Sequence, residues 1–159
     1  GTRLRQVPAR VVAWNAFKAQ YPDGTVLSRK TGHNRDYGTN PYTGYDDIDS
    51  PPIFPSTGAD DERLEPKERV VFIERGTRAV AVPFAVLAQR RQIPVTIGSE
   101  TLQVRWRGGV ASALDTDDID RGRDVGSAEV VDASGRPVPF HEPFWFAVAG
   151  FRPDVTIVR

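Results

Sequence analysis

The chain contains no cysteine and no methionine. Without thiols it has no disulfide, no thiolate metal site and no cysteine nucleophile, although the compartment stays open because many exported proteins also lack cysteine. The missing methionine, with Gly1 in first place, points to a natural start that has been removed or to a piece of a longer chain. Nor is there an excess of charge: 21 Lys and Arg face 21 Asp and Glu, so nothing draws the chain onto nucleic acid or an anionic membrane. Long hydrophobic runs are missing too. The most apolar stretch, residues 79–88, is broken by Pro83 and closed by Gln89 and Arg90. It falls short of the roughly 18 to 20 residues of a transmembrane segment, and a soluble chain is expected.

A length of 159 residues suits one core, and a single domain over 1–159 is expected. Its chemically densest part is residues 31–45, opening on Thr31 and closing on Tyr45, which hold one of two histidines and three of four tyrosines. Gly32, Gly38, Gly44 and Pro41 forbid a regular helix there, and no sustained alternation supports a long strand. An ordered loop of this length is either functional or packed by its own side chains.

Before the loop, Val11, Trp14, Phe17 and Tyr21 recur at helical spacing, predicting an amphipathic helix over residues 11–21. Pro22, Asp23 and Gly24 stop it, and Thr25, Val26 and Leu27 read as a short strand. The C-terminus repeats this order with Trp145, Pro153, Asp154, Thr156, Ile157 and Val158. The register is constant, since 145 minus 14, 153 minus 22 and 156 minus 25 all equal 131. An internal repeat of a helix, tight turn and strand follows, with Pro143 in the first turn of the second helix and both tryptophans buried alike.

Between the copies, residues 45–68 are rich in aspartate and in Pro51, Pro52, Pro55 and Pro66, a connector expected to wrap the surface. Residues 69–74 and 77–82 form a predicted hairpin about Arg75 and Gly76, followed by a short helix from Pro83 to Gln89. Strands follow at 93–97 and 101–107, the second burying Leu102, Val104 and Trp106 and turning Arg105 and Arg107 outward. Another hairpin is predicted from 128–132 and 136–140. The fold class is mainly β (α+β), built of antiparallel hairpins and two short helix-turn-strand repeat units, one layer against another.

The run Pro22-Asp23-Gly24-Thr25-Val26-Leu27-Ser28-Arg29, then Thr31-Gly32, Arg35-Asp36-Tyr37-Gly38, Asn40-Pro41-Tyr42 and Tyr45, resembles the signature of the domain-of-unknown-function family numbered 3179. Arg63-Leu64, Pro66-Lys67-Glu68-Arg69-Val70, the Gly76 hairpin and residues 81–87 are similar to that family as well, so about half the chain is covered. The resemblance implies an extracytoplasmic location, periplasmic or cell surface. Longer members add an upstream half with Tyr-Cys-Pro-Leu-Cys and Asp-x-x-Thr-Gly-Ser-x-Trp stretches. Neither occurs here, so the chain resembles the downstream half, alone or cut from a larger protein.

Arg29, His33, Arg35, Asp36, Tyr37, Tyr42 and Tyr45 are the candidate ligand-binding residues, with cations to orient an anionic group and phenols as walls and donors. The competing reading is a self-packed loop whose tyrosines cover the core. One histidine among scattered carboxylates lacks metal-ligand spacing, so neither a metal nor another cofactor is expected. His141 and Glu142 suit a capping or supporting role. Asp115, Asp117, Asp118 and Asp120 fail as an EF-hand because Ile119 holds the fifth position and no glutamate the twelfth, leaving a solvated acidic turn. Serine-nucleophile and phosphate-loop patterns are missing. Three readings remain: an extracytoplasmic binding or interaction module acting through the loop on an unknown protein or small ligand; a hydrolase-like enzyme with His33 and Asp36 as catalytic candidates beside an anion held by Arg29 or Arg35; and a structural subunit completed by neighbouring copies or an upstream half.

Overall fold

The computed structural model describes residues 1–2, 4–54 and 56–159. Val70–Arg75 (β1) and Arg78–Pro83 (β2) form an antiparallel hairpin that pairs Val71 with Val82 and Ile73 with Val80. Gly76 turns it at φ +59°, a left-handed backbone that strains any side chain. Strand side chains alternate, so Val71, Ile73, Val80 and Val82 enter one core while Val70, Ala79 and Ala81 enter another. Burial on both faces is why these strands read as nearly continuous apolar runs.

Gln92–Ile97 (β3), Glu100–Arg107 (β4) and Ser127–Val131 (β5) make a second antiparallel sheet, in order. Along β3 and β4 it buries one face: Ile93, Val95, Ile97, Leu102 and Val104 point inward, and Gln92, Pro94 and Thr96 outward. The inward face packs on β1 and β2, and helix Phe84–Arg90 (α2) closes that core with fully buried Leu87. On the far side of the first sheet lies helix Trp145–Phe151 (α3), whose Trp145, Val148 and Ala149 meet Val70, Ala79 and Ala81. Thr156–Ile157 (β6) then joins β2 in parallel. The result is α+β with more strand than helix.

Helix Trp14–Gln20 (α1) is shorter than the expected 11–21 and buries no residue. Trp14 is 53% exposed whereas Trp145 is 0% exposed, so equal burial of the two tryptophans is not found. Residues 25–27 form no strand, because β6 exists only where β2 offers an edge and no such edge adjoins them among the described residues. Pro143 lies outside α3, which Phe144 precedes in extended conformation. Its carbonyl instead accepts from Val70, in a strip that bridges β1 at Phe72–His141 and Arg69–Phe144.

The arm expected at 136–140 shrinks to a bridge between Val131 and Pro137 and two bonds, from Asp132 to the Arg136 carbonyl and from Val138 to the Val130 carbonyl, since Pro137 and Pro139 have no amide to donate. The connector is more than a surface wrap. Its 3-10 turn Thr57–Asp60 buries Gly58 against α3; Pro55 lies outside the described residues. Trp106 does face the core, but it is half-buried beneath the Arg91 guanidinium, 4.2 Å from its ring. Of its flanking arginines, Arg107 is exposed while half-buried Arg105 turns to Glu129.

Candidate functional site

The 31–45 loop is rooted at its second half. Asn40, 4% exposed, donates from Nδ2 to Thr116 O at 3.1 Å and from its backbone to Asp117 O at 2.8 Å, while its Oδ1 accepts the Tyr42 amide at 2.7 Å. Thr43 donates to Asp117 Oδ1 at 2.5 Å, and the amides of Gly44 and Tyr45 reach the carbonyls of Asp115 and Leu114. The acidic turn is therefore the ladder on which the loop hangs, rather than a merely solvated bend. Left-handed Gly38 (φ +103°) and Gly44 (φ +70°) supply the bends that allow this pairing.

Beneath the root lies a charged cluster that sequence reasoning missed. Lys67, 2% exposed, donates to the Tyr45 carbonyl and to Ser50 Oγ at 3.0 Å. Burial lowers its pKa, and the nearby Asp46 and Asp47 oppose that shift. Buried Asp46 accepts from Ser112 Oγ at 2.6 Å and from Arg123 Nη1 at 3.1 Å. The Arg123 Nη1 also meets Asp115 Oδ1 at 2.7 Å; the Arg123 backbone amide and then its side chain hold the Asp115 carboxyl below its usual range. Every charge here has a partner, so the cluster serves as a clamp. No local signal in the sequence marks it, since Lys67 stands three residues before the β-branched run that opens at Val70 and lysine is ordinarily exposed.

Of the seven candidates, Arg29 and Tyr37 line one open groove of about 800 Å³, together with Trp14 and Asn15 of α1, Val110, and Asp118 and Asp120. Tyr37 is fixed by a 2.8 Å hydrogen bond between its hydroxyl and Thr31 Oγ1. His33, Arg35, Asp36 and Tyr42 are exposed and do not line that groove. Tyr45 belongs to the root, half-buried with its ring 5.8 Å from that of Phe144. Thus the structure brings two of the seven together, sets Tyr45 in the root and spreads the other four over the loop surface.

Away from the loop, His141 Nε2 lies 2.8 Å from Gln6 Nε2, so the amide donates and the ring nitrogen accepts. Glu142 pairs with Arg69 at 2.9 Å and accepts the Ala128 amide at 3.2 Å. Burial raises its pKa, opposed by Arg69. Both are supporting roles. Among the described residues no group of three or more His, Asp or Glu is arranged to hold a metal.

The model of DUF3179, a family described as "Protein of unknown function", matches residues 1–155 of this chain. No curated protein and no solved structure matches it.

Proposed function

The chain belongs to the DUF3179 family, and we propose that it is a non-catalytic interaction module outside the cytoplasm, with the 31–45 loop and its groove as the binding face. The observation that carries this reading is the division of the loop: Asn40 and its neighbours are locked to the acidic turn, while Arg29, His33, Arg35, Asp36 and Tyr37 remain exposed. A rooted loop meets a partner without ordering its whole backbone first, and so retains more of the contact energy. Trp14, Tyr37 and Arg29 are the side-chain types that most often anchor interfaces. Asp118 and Asp120 share the groove with Arg29, which suits an extended peptide carrying both signs of charge. The extracytoplasmic placement is supported by the family resemblance alone.

The same proposal takes residues 14–27 and 145–158 as copies of one unit. In support, α1 and α3 each have seven residues and begin on Trp. The residues that follow them, Tyr21 (φ −130°, ψ 73°) and Arg152 (φ −138°, ψ 70°), share one conformation.

The test is retention of envelope proteins on the immobilised chain, with Arg29→Ala and Tyr37→Ala run beside the wild type. A protein held by the wild type and released by both variants, with the melting temperature unchanged, is expected. Equal retention by all three would remove the groove from the reading.

A further inference from the structure

The second copy displays how such a unit docks. Trp145 fits over Ala79 and Ala81, whose small side chains leave room for an indole, and Val158 donates to the Ala81 carbonyl at 2.9 Å beyond the β6–β2 ladder. Arg63 completes the seat: its guanidinium lies 4.9 Å from the Trp145 ring, and it donates to the carbonyls of Pro153 at 3.0 Å and Val155 at 3.2 Å. Helix, turn and strand are thus read together by an edge strand and one arginine.

The first copy has the same helix end and turn and none of this cover. Tyr21 donates to Phe17 at 2.8 Å as Arg152 does to Val148 at 2.7 Å, and Gly24 donates to Tyr21 at 2.9 Å as Val155 does to Arg152 at 3.0 Å. Yet Val26 is 63% and Leu27 90% exposed, and Trp14 is half-exposed. Among the described residues no backbone hydrogen bond involves Thr25, Val26 or Leu27. Two consecutive aliphatics, exposed and with unpaired amides, leave a segment free to pair with an added strand.

We infer that Trp14, Thr25, Val26 and Leu27 form a docking edge for a partner β-hairpin of the β1–β2 kind, in which the strand that pairs with residues 25–27 alternates alanine and valine. The partner strand adds in parallel, as β2 does to β6. A second copy of this chain does not supply it, because β6 already occupies the β2 edge and would have to be expelled. This deepens the interaction reading above and shares Trp14 with the groove, whereas the strand edge is separate from Arg29 and Tyr37.

The experiment uses the full chain and a backbone-cyclised peptide carrying residues 70–83 of this chain, with cross-strand NMR contacts verifying that the peptide is a hairpin. The expected result is at least a tenfold slowing of amide exchange at Thr25 and Leu27, which match Thr156 and Val158, the residues whose amides face β2. It is abolished by Trp14→Ala or Val26→Asp, with melting temperatures unchanged, and absent with a scrambled cyclic peptide. Tyr37→Ala leaves it intact, so loss of envelope-protein retention by that variant and loss of hairpin binding here report on different proposals. No slowing, equal slowing with the scrambled peptide, or slowing that grows with protein concentration in the absence of peptide would overturn the inference; the last result would assign the edge to a second copy.

Discussion

The ammonium of Lys67 lies 4.0 Å from the centre of the Tyr45 ring and also donates to the Tyr45 carbonyl oxygen. One buried cation thereby ties the root of the 31–45 loop to the residues that enter β1. Lys67→Met keeps most of the stem and deletes the charge, leaving the Tyr45 carbonyl and Ser50 without their donor. Loss of these charged hydrogen bonds is expected to cost about 1.5–3 kcal/mol. Urea unfolding measures the loss, and faster amide exchange at Tyr45 would locate it at the root. An unchanged midpoint would mean that the clamp is not formed.

Gly58 fixes the connector against α3. A Cβ there would stand 1.9 Å from the Phe146 carbonyl oxygen and 2.5 Å from the Gly150 amide nitrogen, both backbone atoms that cannot swing aside. Gly58→Ala should therefore destabilise by about 3 kcal/mol through forced separation of the turn from the helix. Calorimetry on the variant checks this. A cost below about 1 kcal/mol would show that the turn is not seated on α3.

The hairpins are legible in the sequence because their determinants are local: β-branched runs, alternation, and Gly76 or Gly98 between them. Strand pairing between distant segments is not, which is why residues 25–27 and 156–157 read alike although only the latter meet an edge. Lys67 escaped notice for a related reason. Lysine is almost never buried unpaired, and its partners, Tyr45 and Ser50, are far enough back in the chain that no spacing announces them. At the loop, glycine and proline content announced an irregular segment. Which of its side chains reach the groove depends on α1 and the Asp118 turn, information that no local pattern carries.

Glu68 gives the fold a pH dependence. Its Oε1 accepts the Ala85 amide at 3.0 Å at the start of α2, and burial raises its pKa above 4.5 despite the opposing hydrogen bonds from Ala85 and Phe84 and the charge of Arg69. A carboxyl with a raised folded-state pKa holds its proton more tightly when folded. Its stabilising contribution is thus complete below its unfolded pKa and is lost as pH rises through the folded value. Glu142 shifts in the same direction, again mainly through burial. Glu68→Gln retains an acceptor for Ala85 and removes the titration, so its stability should fall less than that of the wild type between about pH 4 and pH 7. Parallel pH profiles for the two proteins would show that Glu68 does not carry this proton.

The three tryptophans rank the environments that the fold creates, and their truncation tests the whole arrangement. Trp145 is fully buried, with its indole nitrogen 3.4 Å from the Asp61 carbonyl, and Trp145→Ala should cost about 3–5 kcal/mol as a cavity between α3 and the first sheet. Trp106 packs its inner face on the core while Arg91 covers it, and a Cβ on Gly126 would come within 2.2 Å of its Nε1, so its ring is closely held although half-exposed. Removing it forfeits only part of a full burial, about 2 kcal/mol. Trp14 contacts mainly its own helix, through Phe17 with ring centres 5.6 Å apart and Lys18 at 5.5 Å, and Trp14→Ala should change stability by less than about 0.5 kcal/mol. Chemical denaturation of the three variants gives the order directly. A Trp14 loss as large as that of Trp145 would place the first unit in a core of its own chain and remove both the exposed groove wall and the unpaired strand edge; the expected order leaves Trp14 available to something outside the fold.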